Sequence, residues 1–253
     1  MIEIRNLTKR FGSYTAVADL SLEIPDGEIF GFLGPNGAGK TTTIKIMAGL
    51  MRPNAGLVRI EGVDLMADPR RAKELVGYVP DRPFLYDKLS ARETLSFTAG
   101  LFGVEPARGR ERAEELLALF ALLPWADELV ESYSHGMKQR LTLACALLHR
   151  PRVLLVDEPM VGLDPRGALL VKELLRRFAA GGGTVFLSTH SLEVAEELCQ
   201  RVGILHQGRL CALGTPEELR RSVGTEAGGR LAEVFLRLTG GAEMPGNLGD
   251  LAL

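Results

Sequence analysis

No stretch of this chain reaches the ~18 consecutive apolar residues that a membrane span requires, so the chain is not expected to cross a bilayer. It can still touch a membrane partner. Cysteine is scarce: Cys145, Cys199 and Cys211 are odd in number, far apart and at no metal-ligand spacing. Two of them fall in apolar runs and are expected to pack as small hydrophobes, which fits a reducing compartment. Excess charge of either sign is lacking too. The net charge of −2 argues against a nucleic-acid binder held by bulk charge. Arginine patches such as Arg70-Arg71 have acids beside them and read as solvated helix faces. Glu3 and Arg5 interrupt the opening apolar residues, so no secretory leader is expected there. What remains is an ordinary globular composition, 46% hydrophobic and 25% charged over 253 residues, with ample material for a large core.

One stretch organises the rest: Gly34-Pro35-Asn36-Gly37-Ala38-Gly39-Lys40-Thr41. It follows an apolar run (Ile29, Phe30, Phe32, Leu33) that reads as a buried strand. It precedes residues 42–50, which read as a helix with Ile44, Met47 and Leu50 near helical spacing. Strand, glycine-rich loop and helix is the setting in which Gly-x4-Gly-Lys-Thr binds a triphosphate. The glycines let backbone N–H groups turn onto phosphates, and the helix start, with Thr42 behind it, adds unpaired donors and a positive dipole end. Lys40 should reach the β- and γ-phosphates, and the Thr41 hydroxyl should ligate Mg²⁺.

The remaining chain alternates in texture. Residues 2–7 and 16–24 alternate apolar and polar, as strands of a small antiparallel layer. The turn between them carries two aromatics, Phe11 and Tyr14, either able to stack on a base or to cap the core. Residues 57–60 and 77–80 read as further strands, with a short charged helix over 69–75. From Ser90 to His149 the pattern is almost wholly helical. Ser90-Ala91-Arg92-Glu93 is a capping box, and Leu95, Leu101 and Phe102 supply an apolar side. A second helix over 108–123 presents Leu116, Leu119, Phe120 and Leu123 and is closed by Pro124. Sheet character then returns at Val153-Leu154-Leu155-Val156 and at 184–187. A helix over 165–180 lies between these two, one over 192–200 follows them, and a hairpin turns at Gln207-Gly208. Thr215-Pro216-Glu217-Glu218 is another capping box, and an amphipathic piece lies around 231–238.

Chemistry concentrates at strand ends. Asp157 and Glu158 follow an apolar strand directly, and ligands sit at the C-terminal ends of parallel strands. Asp157 would hold Mg²⁺, and Glu158 would polarise the attacking water or take its proton. His190 ends the next buried strand and should reach the same edge, where an imidazole can meet the γ-phosphate or the water. Ser134 is a natural N-cap, and Ser134 and Gly136 at a helix start form another anion cradle with no evident phosphate of its own. Two copies facing each other would supply one.

Together these motifs resemble the ATP-binding cassette (ABC) ATPases, the nucleotide-binding subunits of ABC transporters, over about residues 1–215 and in the family's order. The resemblance implies that Phe11 is the adenine-stacking aromatic, 34–41 the Walker A loop, 133–137 the signature, 153–158 Walker B, 162–164 the D-loop and His190 the switch histidine. Two departures stand out. Asp81 occupies the place of the Q-loop glutamine, where a carboxylate can ligate the metal or repel the γ-phosphate. The signature reads Tyr-Ser-His-Gly-Met, losing one glycine and the glutamine of Leu-Ser-Gly-Gly-Gln. Both are similar to ATPase subunits of bacterial ABC-2-type exporters.

The expected fold is α/β: a P-loop NTPase core with a parallel sheet, a small antiparallel β layer at the N-terminal side and a helical insertion subdomain. One ATPase domain over 1–253 would divide into a catalytic core (1–80 and 151–214), a helical subdomain with the signature (81–150) and a short tail (215–253). The expected cofactors are ATP and Mg²⁺. The expected partners are an integral membrane permease and a second ABC subunit, identical or different, at the cytoplasmic face of the cell membrane, with no direct nucleic acid. Phe84, Leu85 and Tyr86, just after Asp81, either line the groove that receives the permease or pack in the core. The alternative is a non-transport ABC ATPase acting on ribosomes or nucleic acid; those usually carry two cassettes or a long coiled-coil insertion, and neither is visible here. A kinase acceptor pocket and a guanine-reading Asn-Lys-x-Asp are not found.

Overall fold

The structure, a computed structural model, describes residues 1–222 and 231–240. The chain opens with β1 (Ile2–Phe11), β2 (Tyr14–Ile24), β3 (Ile29–Leu33), α1 (Lys40–Met47), β4 (Ala55–Ile60), β5 (Val63–Asp64), α2 (Pro69–Glu74) and β6 (Val76–Val79). Three helices follow: α3 (Ala91–Leu101), α4 (Pro106–Leu119) and α5 (His135–Leu147). It then runs through β7 (Val153–Asp157), α6 (Pro165–Ala180), β8 (Thr184–Thr189), α7 (Leu192–Leu198), β9 (Arg201–His206), β10 (Arg209–Gly214), α8 (Pro216–Ser222) and α9 (Leu231–Thr239).

Two sheets form. The antiparallel one has the order β2-β1-β4-β5, and the second has the order β10-β9-β3-β8-β7-β6. In the second, β9, β3, β8, β7 and β6 run parallel, and only β10 is antiparallel, as the return of the β9 hairpin. Both faces of its central strands are buried, which explains their unbroken apolar sequences. Alternate side chains separate to the two sides. Phe30, Phe32, Leu155 and Phe186 face α1 and the antiparallel layer. Ile29, Leu33, Leu154, Val156, Val185 and Leu187 face the helices on the other side. The helical segment between β6 and β7 therefore shares a core with the sheet: Leu95, Leu116, Leu117, Phe120 and Leu141 pack in the same cluster as Leu154 and Leu187.

Several local expectations hold, and several shift. The Ser90 capping box is present in both directions, and so is the Thr215–Glu218 pair. The second insertion helix begins earlier than expected, because Glu105 accepts from the backbone N–H groups of Ala107 and Arg108 and Pro106 takes the first turn. It also ends earlier, where Ala121 adopts φ 53°, and Pro124 lies in a separate 3-10 turn, Leu123–Trp125. Its buried face is accordingly Ala113, Leu116, Leu117 and Phe120, while Leu119 and Leu123 are exposed. In α3, Leu95 is buried, but Leu101 is 69% exposed and adds nothing to the core. The strand β5 has no counterpart in the sequence reading. Much of the tail beyond 222 lies outside the described residues, but α9 packs Leu231 and Val234 into the sheet-and-helix core.

Cys199 is buried and Cys145 half-buried, and burial pushes their thiols up to about 12 and about 11. Both therefore act as packing groups. Cys211 is exposed.

Phe186 joins the two sides of one aromatic cluster, its ring centroid 5.0 Å from that of Phe32 and 5.7 Å from that of Phe30. Phe186→Ala should cost about 3–5 kcal/mol of unfolding free energy in urea titration. Phe84→Ala, at a side chain 89% exposed, should stay within about 0.5 kcal/mol of the parent.

Candidate nucleotide site

The register of the parallel sheet brings the candidate residues to one edge. Leu33 pairs with Thr189, and Asp157 with Ser188. The P-loop, Glu158 and His190 therefore leave neighbouring strands at the same level. In the loop itself, Gly39 has φ 110°, and a Cβ there would sit 2.3 Å from the Ala16 carbonyl oxygen. Only glycine satisfies both demands. No side chain caps the start of α1, so its first-turn N–H groups are left for an anion.

Lys40 is buried and folds back on its own loop. Its Nζ donates to the carbonyl oxygens of Gly34 at 2.5 Å and Pro35 at 3.3 Å. Burial draws the ammonium below the usual lysine range, against the opposing pull of Glu158 and Asp157. The Thr41 hydroxyl donates to Asp157 Oδ2 at 3.0 Å. Asp157 is 1% exposed, and burial pushes its carboxyl above the ordinary range.

Glu158 has φ 50°, a left-handed conformation rare for this residue type. Its N–H donates to the Ser188 carbonyl at 2.9 Å. Two neighbours hold its carboxylate: Thr189 Oγ1 donates to Oε2 at 3.1 Å, and His190 Nδ1 lies 2.8 Å from Oε1. The strained backbone thus aims a carboxylate whose two oxygens are both fixed.

A cleft of about 290 Å³ lies over these groups, lined by Phe11, Tyr14, residues 36–42, Asp81, Asp157 and Glu158. Gly34 and Pro35 stand behind it as acceptors for Lys40. His190 reaches it through Glu158. Asp81 lies in the same field as Asp157: burial, then Asp157 and Asp81, push the Tyr78 phenol up to about 12. Among the described residues no three His, Cys, Asp or Glu side chains gather as a ready metal cluster. The donors on offer are the Thr41 hydroxyl and the Asp157 carboxylate, hard oxygens that suit Mg²⁺ once phosphate oxygens complete the set. Ser134 and Gly136 do not line this cleft. Ser134 caps α5 by accepting from the Met137 N–H at 3.3 Å, and Gly136 lies against Gly162 and Leu163.

Tyr14 contributes more than the sequence reading assigns to it, and Thr189 escapes that reading. The resemblance ranks Phe11 above Tyr14, yet these residues face each other across the β1–β2 turn and both rings border the cleft. The Tyr14 hydroxyl also donates to the Gly37 carbonyl at 3.1 Å. Thr189, which fixes Glu158, was visible only as the residue before His190.

The family model described as "ABC transporter" matches residues 17–161. The chain is 41% identical over 234 residues to the Nod factor export ATP-binding protein I of Paraburkholderia xenovorans (strain LB400), covering 92% of this chain and 76% of that protein. Among solved structures, an ATP-binding subunit of an ABC transporter superposes with a TM-score of 0.88 at 34% identity, covering 94% of this chain and 99% of that one. The dimeric post-hydrolysis structure of the ATP-binding cassette MJ0796, bound to ADP and Pi, gives a TM-score of 0.77 at 26% identity, over 85% of this chain and 98% of that one.

Because burial raises the Asp157 carboxyl pKa, the folded protein holds this proton to higher pH than the unfolded chain does. The contribution to stability is full below the ordinary carboxylate range and is lost as pH rises through the folded value. Asp157→Asn carries no such loss. In nucleotide-free protein its melting temperature should exceed that of the parent, by a margin larger at about pH 8 than at about pH 4. Differential scanning calorimetry at the two pH values measures this.

Proposed function

This chain belongs to the ABC transporter family as an ATP-binding and ATP-hydrolysing subunit, and from that premise we propose how its own residues carry the cycle. The supporting observation is the convergence at one sheet edge of the P-loop, the Thr41–Asp157 bond and the His190–Glu158–Thr189 cluster.

Phe11, with Tyr14 beside it, takes the adenine. Backbone N–H groups of residues 37–42 receive the phosphates. Lys40 exchanges the Gly34 and Pro35 carbonyls for the β- and γ-phosphate oxygens, so its buried charge gains a stronger partner. Thr41 and Asp157 hold Mg²⁺, which when bound neutralises charge on the phosphate oxygens. Glu158 accepts a proton from the attacking water as the water's oxygen bonds to the γ-phosphorus, and the bond to the bridging oxygen breaks to leave ADP and phosphate. Thr189 and His190 keep the Glu158 carboxylate aimed through that step.

The cradle at Ser134 and Gly136 lies away from the chain's own cleft, so we assign it to the nucleotide of a second ABC subunit. The dimeric form of the MJ0796 relative supports that arrangement. ATP then bridges two subunits, and hydrolysis removes the bridge. Such a switch works only through a differential affinity of ATP for the closed pair.

Among the described residues no helix is long and apolar enough to cross a membrane, and we assign the transport path to a separate permease. Phe84 and Tyr86 are exposed beside Asp81, and Tyr86 meets Phe97 edge-on at 5.6 Å. This apolar patch is the proposed permease contact; Leu85 packs against the core beneath it. We place the subunit at the cytoplasmic face of the membrane, with 81–150 as the segment that passes motion to the permease. Export is the direction that the relative's name supports.

Glu158→Gln should keep ATP affinity while cutting turnover by a factor of about 100 or more, and sedimentation should show an ATP-loaded dimer. Near-parental hydrolysis sinks the role of Glu158. Lys40→Ala should lose about tenfold or more in ATP affinity by calorimetry; an unchanged value contradicts the P-loop assignment. Asp81→Gln should alter basal or permease-stimulated hydrolysis. If neither moves, Asp81 stands outside the reacting shell.

A further inference from the structure

A second cavity, of about 360 Å³, lies between α4 and the end of α5 and shares no lining residue with the nucleotide cleft. Its charged wall is Arg108, Arg112 and Arg150 against Glu111 and Glu115, with the imidazole of His149 beside them. In a chain of net charge −2, three guanidiniums on one small cavity concentrate positive charge locally. Arg108 and Arg112 stand four residues apart and so share one face of α4. Arg108 lies in the first turn of that helix, beside the positive end of its dipole, where a cation is disfavoured.

Few of these donors are used. Among the described residues, Arg108 and Arg150 are exposed and their guanidiniums make no ion pair or hydrogen bond. Arg112 Nη1 donates to Glu115 Oε2 at 2.7 Å, but its Nε is buried without a partner. His149 lies flat on Phe102, ring centroids 3.7 Å apart and planes 5° from parallel. Its Nε2 is 3.1 Å from the Val76 carbonyl oxygen. A carbonyl only accepts, so Nε2 carries the hydrogen and Nδ1 is left as an acceptor. Burial holds the ring below the usual histidine range, against the pull of the Val76 carbonyl, and so favours this neutral form. His149 Nδ1 is itself buried without a partner. Two unpaired buried polar atoms on one cavity wall are costly, and the guanidiniums around them favour an anion.

An anion that fits must accept from guanidiniums and also donate to a neutral imidazole. Hydrogen phosphate does both, through its bare oxygens and its P–OH. Sulfate and phosphodiesters have no such hydrogen at neutral pH, and a phosphomonoester, with a second pKa of about 6, has largely lost it. We propose that this cavity is a binding site for inorganic phosphate, held through its oxygens by Arg108, Arg112 and Arg150 and through its P–OH by His149 Nδ1. Glu111, which makes no ion pair among the described residues, opposes the anion.

The test follows the His149 ring signal by NMR in the full chain at neutral pH, with ADP filling the nucleotide cleft, as inorganic phosphate is added. His149→Gln assigns the signal, and a saturable shift is expected. Arg108→Ala and Arg150→Ala should each raise the phosphate dissociation constant about tenfold, the loss of one charge-assisted hydrogen bond. ADP affinity should stay at the parent value in both. Glu111→Gln should lower the phosphate constant about threefold. Sulfate should bind the parent about tenfold more weakly than phosphate, since it offers His149 Nδ1 no hydrogen. Phosphatidylglycerol vesicles should leave the signal in place.

A His149 signal that does not move with phosphate overturns the inference, as does a dissociation constant that neither arginine variant changes. Sulfate binding as tight as that of phosphate overturns the role of Nδ1 and with it the choice of hydrogen phosphate. A shift produced by the vesicles and not by phosphate assigns the cavity to lipid headgroups and overturns the proposal.

Discussion

The site depends on the in-register ending of three parallel strands. With Leu33 beside Thr189 and Asp157 beside Ser188, three segments distant in sequence start their loops at one level, each one strand spacing from the next in the order β3-β8-β7. A slip of one residue in β7 would turn Asp157 to the opposite face and exchange Leu154 and Val156 for Val153 and Leu155 in the core. The buried apolar faces of these strands therefore fix the register, and the register fixes where the chemistry stands. The aromatic cluster of Phe30, Phe32 and Phe186 is thus part of the machinery for placing Thr41 against Asp157, although it lies on the buried face.

The polar groups of the cleft bond to one another. Lys40 bonds the carbonyls of its own loop, Thr41 bonds Asp157, and Glu158 holds Thr189 and His190. Each of these bonds occupies a group that a bound triphosphate or metal would use. Binding therefore exchanges one set of charge-assisted contacts for another, rather than filling an unsatisfied cavity. Such an exchange leaves the affinity sensitive to small changes in local charge. Asp81 matters here, since it sets a further carboxylate in a cleft where Lys40 is the one lysine or arginine among the described lining residues.

Contiguous chemistry was legible in the sequence. The glycine loop, the acid pair after a four-residue apolar strand and the two capping boxes each lie within a few residues, and the structure keeps them as written. Less legible was anything decided across the chain. Leu101, Leu119 and Leu123 have the periodicity of a buried face, yet they are exposed: α3 and α4 meet through other positions, with Gly109 close against Ala99, and Leu123 falls beyond the end of α4. Thr189 looks like an ordinary strand residue until Glu158 turns back over it at positive φ. Tyr14 differs from Phe11 only through a hydroxyl aimed at Gly37, a contact that no local pattern encodes.

The helix α5 completes the logic of the fold. It shares a core with the sheet through Leu141, Leu143 and Ala144, which ties its N-terminus to the P-loop edge, yet Ser134 and Gly136 do not line the chain's own cleft. On the proposed reading, one core carries both the P-loop edge and the Ser134 cradle, and that cradle meets a triphosphate only when a second subunit supplies one.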